Sequence, residues 1–285
     1  FNPKLYHSLV IGNDTRQSLF KKRGSEGGEA YLKHDWNRTT MNYFWHGKKS
    51  FPRMFEIDIT AGTQRTESSN VRLSGSLDES KSQYYYDDFE GASLVDQSYI
   101  NWGYYAEAVF GYKDQLFITL GERIEENEYF GKDYGRHISP RLGFSYVMEF
   151  NSFIWKARAA WGSGGINPPQ AMQALPSESQ SSINIGNPNL RPERQSGYEI
   201  GGDFYLGDNL FFEITYYDQI FLDGIQNDPS IDDLETIKQE YWYINFGEII
   251  NKGWEFSAKT RIGPLDLNAT YSITDSRWGQ DSIRQ

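Results

Sequence analysis

The stretch FIWKARAAWG, from Phe153 to Gly162, alternates large apolar side chains with charged or small ones. Successive side chains of a β-strand point to opposite faces of a sheet, so this alternation predicts a strand with one apolar and one polar face. The same period of two recurs along the chain, and no helical stretch of comparable length is recognised. It predicts strands at residues 37–46, 52–62, 102–112, 115–126, 138–149, 153–162, 195–206, 210–220, 243–261 and 265–275.

Short and long connections alternate between these strands. The predicted short turns are His46 to Ser50, Tyr112 to Asp114, Glu149 to Ser152, Leu206 to Asn209 and Ile262 to Pro264. The predicted long loops are Thr63 to Asn101, Glu128 to His137, Gly162 to Arg194 and Phe221 to Tyr241. Long strands joined by short turns at one end and long loops at the other are typical of outer-membrane barrels. A soluble β-sandwich, with shorter strands and no such asymmetry, is the competing interpretation.

The composition fits a barrel better than a compact soluble domain. Only 38% of the residues are hydrophobic, yet 16% are aromatic, which is too many for a disordered chain. A barrel wall needs an apolar residue only at every second position, so its total apolar content stays low. The net charge of -11 argues against nucleic acid as a partner.

Several chemical classes are excluded or disfavoured by residue counts. The absence of cysteine excludes disulfides, thiolate metal sites and cysteine nucleophiles. The four histidines share no metal-ligand spacing, and no catalytic motif has its supporting partners. We therefore expect no catalytic residues and no enzymatic activity.

Four blocks in the second half of the chain carry a family resemblance. They are SPRLGFSY (139–146) with the following FIWKARAAWGSGG (153–165), GNPNLRPERQSGYEIGGDF (186–204), FFEITYYDQIFLDGI (211–225) and NFGEIINKGWEFSAKTRIGPLDLNATYS (245–272). Their order and spacing resemble the barrel of TonB-dependent outer-membrane receptors. The last block looks most like the SusC/RagA-like branch of nutrient importers.

The resemblance implies an all-β fold, a transmembrane antiparallel up-and-down β-barrel in the lipid of the bacterial outer membrane. Such transporters have about 22 strands, so residues 1–285 are expected to be an incomplete barrel segment. The N-terminal plug domain and the C-terminal strands of the family are not recognised here, and we expect them to be missing from this segment.

The resemblance also implies a function and partners. In the family, a complex of TonB, ExbB and ExbD acts through the plug to energise import. The SusC-like branch implies an oligosaccharide or oligopeptide as substrate and a SusD-like lipoprotein as lid. A siderophore or metal-chelate receptor is one alternative, and a soluble β-rich carbohydrate-binding module is another.

Aromatic and acidic residues of the predicted loops are the candidate ligand contacts. Aromatic faces stack on sugar rings and on apolar parts of peptides. The candidates are Tyr84, Tyr85, Tyr86, Trp242, Tyr243 and Trp278. Asp228, Asp232, Asp233 and Glu235 are weak calcium candidates, because carboxylates suit Ca²⁺ but lack EF-hand spacing here. A solvated acidic loop is the competing interpretation, and no other cofactor is expected.

The alternation also assigns faces to individual residues. Trp254 is expected to face lipid and Glu255 the lumen. Aromatic residues beside the short turns are expected to form an interfacial girdle, namely Tyr112, Phe150, Phe153, Phe204 and Tyr205. The segment NPNLRPE (187–193) contains two prolines, which restrict its path from loop into strand. That segment either serves this geometry alone or places its loop near the substrate.

Overall fold

The computed structural model describes residues 4–23, 29–52, 54–77, 93–167, 169, 171–178, 182–207, 209–228 and 239–279. Within these residues the chain forms eleven long strands and three short elements. The long strands are β1 (Lys4–Arg23), β2 (Glu29–Phe51), β3 (Phe55–Leu77), β4 (Ser93–Tyr112), β5 (Leu116–Asn127), β6 (His137–Phe150), β7 (Phe153–Asn167), β10 (Glu193–Leu206), β11 (Leu210–Asp228), β12 (Gln239–Ile262) and β13 (Leu265–Trp278). The short elements, between β7 and β10, are the helix α1 (Ala171–Ala174) and the strands β8 (Ser177–Glu178) and β9 (Ser182–Asn184).

Each long strand pairs antiparallel with the next one along the chain, so the sheet has an up-and-down topology. Among the described residues the sheet does not close, since β1 pairs only with β2 and β13 pairs only with β12. The exception to the antiparallel pattern is β9, which pairs parallel with the start of β12. The predicted all-β, up-and-down, partial-barrel fold is confirmed.

One face of the sheet is apolar across all its long strands. On β7, Trp155 lies beside Met148 of β6 and Phe204 of β10, and Ala159 lies between Phe144 and Ile200. Ile200 is 56% exposed, as expected for a side chain that faces lipid rather than a packed core. Trp254 pairs with Tyr216 and Ile273 on this face, which confirms its predicted orientation.

The opposite face is polar and faces the concave side of the sheet, the lumen of the barrel. Glu255 pairs there with Thr215 and Ser272, as predicted. Ion pairs between neighbouring strands are frequent on this face, for example Lys48 with Glu56 and Arg158 with Asp203. Polar groups that line a wet lumen need no apolar burial, which explains the low hydrophobic content of the chain.

The two ends of the sheet differ in the length of their connections. At one end the strands are joined by the short segments 52–54, 113–115, 151–152, 207–209 and 263–264. At the other end lie the segments 24–28, 78–92, 128–136, 168–192 and 229–238, which are longer in every case. We call these the turn end and the loop end. The predicted asymmetry is confirmed, but the first short turn lies at residues 52–54 and not at His46 to Ser50, which belong to β2.

Several strands are longer than their sequence pattern predicts. Both β2 and β3 have 23 residues, about twice the length needed to cross a bilayer. In their outer parts the apolar–polar alternation disappears, so the sequence of these residues is typical of a loop. The strand β1 was missed for a related reason, since only its first half alternates (Leu5, Leu9 and Ile11).

The aromatic residues beside the turn end form a layer on the apolar face, with one correction. Phe204 stacks between Phe153 and Trp155 at ring-centroid distances of 6.4 Å. Tyr205, by contrast, pairs with Phe211 on the lumen face, so its assignment to the outer girdle was wrong. Within the described residues, no helix is long and apolar enough to cross a membrane.

Candidate functional site

The segment between β7 and β10, residues 169–192 as far as it is described, is a folded loop rather than a loose connection. Leu190, Asn184, Pro169 and Pro192 in this segment are the largest fully buried side chains among the described residues. The loop also reaches the sheet, because β9 pairs with Gln239–Tyr241 of β12. We call this segment the folded loop.

The motif NPNLRPE holds the folded loop to β12. The Asn187 side chain donates to the carbonyl of Tyr243 at 2.8 Å and accepts from the backbone N–H of Asn189 at 2.9 Å. The Asn245 side chain accepts from the N–H of Arg191 and donates to the carbonyl of the same residue, both at 2.8 Å. The motif therefore fixes the path of the loop through side-chain to backbone hydrogen bonds, as well as through its two prolines.

The carboxylate of Asp223 on β11 joins the same motif to the barrel wall. Arg191 and Arg194 each place a guanidinium nitrogen 2.6 Å from it, and Asp223 is only 8% exposed. Two guanidinium groups compensate the cost of burying this charge. The side chain of Asn245 also donates to the carbonyl of Asp223 at 2.9 Å. We call Asp223, Arg191, Arg194 and Asn245 the Asp223 cluster.

The neighbouring loop, residues 128–136, docks against the folded loop. The N–H of Gly131 donates to the carbonyl of Leu190 at 2.7 Å, and the hydroxyl of Tyr134 lies 2.6 Å from Nδ1 of His137. Burial raises the pKa of the Tyr134 phenol. The two loops therefore form one layer at the loop end of the sheet.

A chamber of about 430 Å³ lies between this layer and the lumen wall. Phe130 and Pro192 from the two loops cover it, and Gly165 of β7 closes one side. Its wall is formed by eight residues of β2 to β5, namely Arg38, Thr40, Gln64, Thr66, Tyr99, Asn101, Arg123 and Glu125. We call this space the mouth chamber. Its position at the loop end makes it the candidate functional site.

The polar groups of the mouth chamber are held in place by one another. Arg123 donates at 2.8 Å to both Gln64 and Glu125, and Asn101 donates to Glu125 at 3.4 Å. The guanidinium of Arg123 lies over Gly103, where a Cβ would overlap with it. Such a fixed set of donors and acceptors suits a polar ligand, because little side-chain entropy is lost on binding.

A second charged cluster lies on the lumen face nearer the turn end. Asp203 is 6% exposed and is held by Arg158 at 3.1 Å and by Lys156 at 3.5 Å. Arg158 also contacts Glu213 and donates to the Thr215 hydroxyl at 2.6 Å. This cluster ties β7, β10 and β11 together and does not border the mouth chamber.

Three of the six predicted ligand residues, Trp242, Tyr243 and Trp278, lie within the described part of the chain. Trp242 and Tyr243 lie in β12, not in a loop, where they pair with Asp228 and Asn227. Trp278 is the last residue of β13, also not a loop position, and is 61% exposed. Tyr84, Tyr85 and Tyr86 fall outside the described residues. Ligand contact by these six aromatic residues stays a prediction.

Trp242 lies beside the folded loop, and its indole N–H is unusual. Its indole Nε1 is buried without a hydrogen-bond partner among the described residues. The adjacent carbonyl of Tyr243 is the acceptor for Asn187. Trp242 and Tyr243 are therefore close to the functional layer, although neither lines the mouth chamber.

The calcium candidates are mostly outside the described residues. Asp228 is the final residue of β11, while Asp232, Asp233 and Glu235 lie in the segment that is not described. The described part of the chain holds no group of three or more histidine and acidic residues arranged for a metal ion. Calcium binding by the 228–235 segment stays a prediction.

The residues of the mouth chamber and the Asp223 cluster were missed by sequence reasoning. The chamber residues are polar positions on four separate strands, and only the pairing register brings them to one place. Asp223 left a weaker trace, because the pair Asp223–Gly224 is a common turn signal inside an otherwise regular strand.

The comparison with family models agrees with the fold. The family described as TonB dependent receptor-like, beta-barrel, matches residues 4–284. The chain belongs to this family. Its members are receptors and transporters of the bacterial outer membrane, not enzymes, in agreement with the expectation from the sequence.

Among curated proteins, the chain is similar to the iron-regulated outer membrane virulence protein of Vibrio cholerae, with 26% identity over 195 residues. The match covers 65% of this chain and 29% of that protein. The chain thus spans less than a third of the length of this relative.

Two solved structures show the same fold. The RagAB peptide transporter matches with a TM-score of 0.71 and 14% identity, over 98% of this chain and 35% of that one. The ferripyoverdine receptor of the Pseudomonas aeruginosa outer membrane matches with a TM-score of 0.63 and 16% identity, over 97% and 39%.

Proposed function

We propose that the chain is part of a receptor that imports a large nutrient across the outer membrane with energy supplied through TonB. The observation that carries this proposal is the mouth chamber, a preformed polar site on the lumen side at the loop end. In this reading the loops and the chamber capture the substrate, and the barrel wall surrounds its path inward. A plug domain, which TonB would act upon, belongs to the proposal.

The substrate we propose is an oligosaccharide or an oligopeptide. The chamber offers guanidinium, amide, hydroxyl and carboxylate groups beside the rings of Tyr99 and Phe130. Sugar hydroxyls and peptide amides are both served by such donors and acceptors, and both have apolar faces that stack on rings. The likeness to the RagAB peptide transporter, together with NFGEIINKGWEF, supports the SusC/RagA-like branch and a SusD-like lipoprotein partner.

A siderophore or metal-chelate receptor is the second candidate. It is favoured by the similarity to an iron-regulated protein of Vibrio cholerae and to a ferripyoverdine receptor. Arg38 and Arg123 could attract an anionic chelate into the chamber. The two candidates differ in the charge of the ligand and in its dependence on iron.

Uptake by cells that produce the full-length receptor, together with TonB, ExbB and ExbD, tests the proposal. Labelled oligosaccharides, oligopeptides and ferric siderophores are supplied separately, with and without a protonophore. We expect energy-dependent uptake of one of the first two classes. Uptake confined to ferric siderophores, or uptake unaffected by the protonophore, contradicts the proposal.

A matched pair of variants links uptake to the chamber. Arg123→Ala removes three charge-assisted hydrogen bonds in the chamber, and we expect the KM of uptake to rise about tenfold. Arg261→Ala removes an exposed ion pair with Asp266 at the turn end, and we expect no change. Equal KM values for the two variants would exclude the chamber as the site of capture.

A further inference from the structure

The cover of the mouth chamber depends on one buried carboxylate. Pro192 covers the chamber, and it lies between Arg191 and Arg194, the two residues whose guanidinium groups hold Asp223. Arg191 is half-exposed and Arg194 about one-third exposed, whereas the Asp223 side chain is 9% exposed. Arg191 belongs to the folded loop and Arg194 to β10, so the buried carboxylate on β11 joins the folded loop to two strands of the wall.

The backbone adopts a left-handed conformation at the same level in two adjacent strands. Asp223 has a φ of 59°, and Gly247, which lies opposite it in the register of β11 and β12, has a φ of 71°. A left-handed conformation at a non-glycine residue costs free energy and persists only where its surroundings hold it. Here the two arginines and Asn245 supply that support.

On the loop-end side of Asp223 and Gly247, β11 and β12 contact the folded loop. Asn245 and the carbonyl of Tyr243, both on β12 between Gln239 and Gly247, bind the NPNLRPE motif, and β9 pairs with the first residues of β12. On β11, the N–H of Ile225 donates to Glu193 at 3.0 Å. The outer part of the β11–β12 hairpin and the folded loop thus form one unit, and the Asp223 carboxylate lies where this unit meets the wall.

We propose that Asp223 is the positioning residue that holds this unit over the mouth chamber, so that substrate capture depends on its charge. The inference rests on the proposed import function and adds a residue that does not itself line the chamber. Without the charge, Arg191 and Arg194 lose their shared partner, and the folded loop loses the ion pair that joins Arg191 to β11. The barrel below this level keeps its own hydrogen bonds and its Asp203 cluster.

Asp223→Asn in the full-length receptor tests the proposal, with Asp203→Asn as the matched control. Asp203 has the same side-chain exposure of 9% and is also held by two cations, but it lies nearer the turn end. Spin labels at Asn189→Cys and Gln115→Cys, in a background without other cysteines, report the distance from the folded loop to the turn end. We expect Asp223→Asn to broaden this distance distribution and raise the KM of uptake about tenfold with the maximal rate kept. Asp203→Asn should change neither.

The two proposals fail in distinguishable ways. An unchanged distance distribution in Asp223→Asn, or equal broadening in both variants, overturns the positioning role, whatever the uptake assay shows. Absence of uptake by the unsubstituted receptor overturns the import function, while the distance measurement still decides on Asp223. If Asp223→Asn fails to insert, Arg191→Ala replaces it, because Arg194 then still compensates the carboxylate. A narrow, unshifted distribution in Arg191→Ala overturns the proposal as well.

Discussion

Gly186 shows how one backbone position shapes the folded loop. Its φ of 74° favours glycine, and a Cβ at this position would lie 2.5 Å from the backbone of Leu175 and Pro176. Its N–H also donates to the side chain of Asn184 at 3.0 Å. The turn that returns the chain toward NPNLRPE therefore needs a residue without a side chain.

We expect Gly186→Ala to destabilise the folded loop by about 1–3 kcal/mol, since both the backbone conformation and the close contact oppose a Cβ. Gly207→Ala is the control, because Gly207 has a similar φ of 56° but no atom within 4 Å of the place where the alanine methyl group would lie. Limited proteolysis of the full-length receptor should show faster cleavage near residue 186 only in the first variant. Equal cleavage rates would mean that the contact with Leu175 and Pro176 is unimportant.

The strand β7 shows which residues face lipid and which face the lumen. Ala159 lies among outward apolar side chains, between Phe144 and Ile200, while Lys156 lies near Asp203 on the lumen face. Moving either residue to the other face would require a shift of register by one position. The two residues therefore test the orientation of the wall.

We expect Ala159→Arg to impair barrel assembly by about 2–4 kcal/mol, the cost of a charge on the lipid face near mid-depth. Lys156→Ala should have a small effect, because Asp203 keeps its contact with Arg158 at 3.1 Å. Heat-modifiable mobility of the full-length receptor on gels measures the assembled fraction. Equal assembled fractions for the two variants would contradict the assigned faces.

The sequence was sufficient for the elements that cross the membrane and insufficient for their outer parts. The alternation from Phe153 to Gly162 places β7 correctly, because one face meets lipid and the other meets the lumen. The apolar–polar pattern is lost in the stretch from Thr66 to Leu77, although β3 continues there and Ser68 is buried. The ends of the strands and the whole of β1 could therefore be located only from the hydrogen-bond register, which a single sequence does not contain.

The candidate site depends on contacts between distant parts of the chain. Arg38 and Arg123 reach the same chamber from strands separated in sequence, and Pro192 covers it from a loop further along. The two prolines of NPNLRPE predict a defined path for this segment. Its link to Asp223 joins residues about 30 positions apart, so no local sequence pattern indicates it. Long-range register and loop packing, rather than local pattern, create the site.

The whole molecule is a barrel wall with an apolar outer face, a polar lumen face and a layer of packed loops at one end. The chain has a net charge of -11, but the charged residues that line the mouth chamber are two cations, Arg38 and Arg123, and one anion, Glu125. The family explains the wall, and the loop layer explains where a ligand would be held. We propose that the nutrient binds in the mouth chamber beneath the folded loop.

The structure of the full-length receptor with its nutrient, determined by electron cryomicroscopy, would show where the nutrient binds. We predict ligand density within hydrogen-bond distance of Asn101 or Arg123 and in contact with Pro192 or Phe130. Density that lies only outside the loop layer, with the mouth chamber empty at saturating nutrient, would contradict the account.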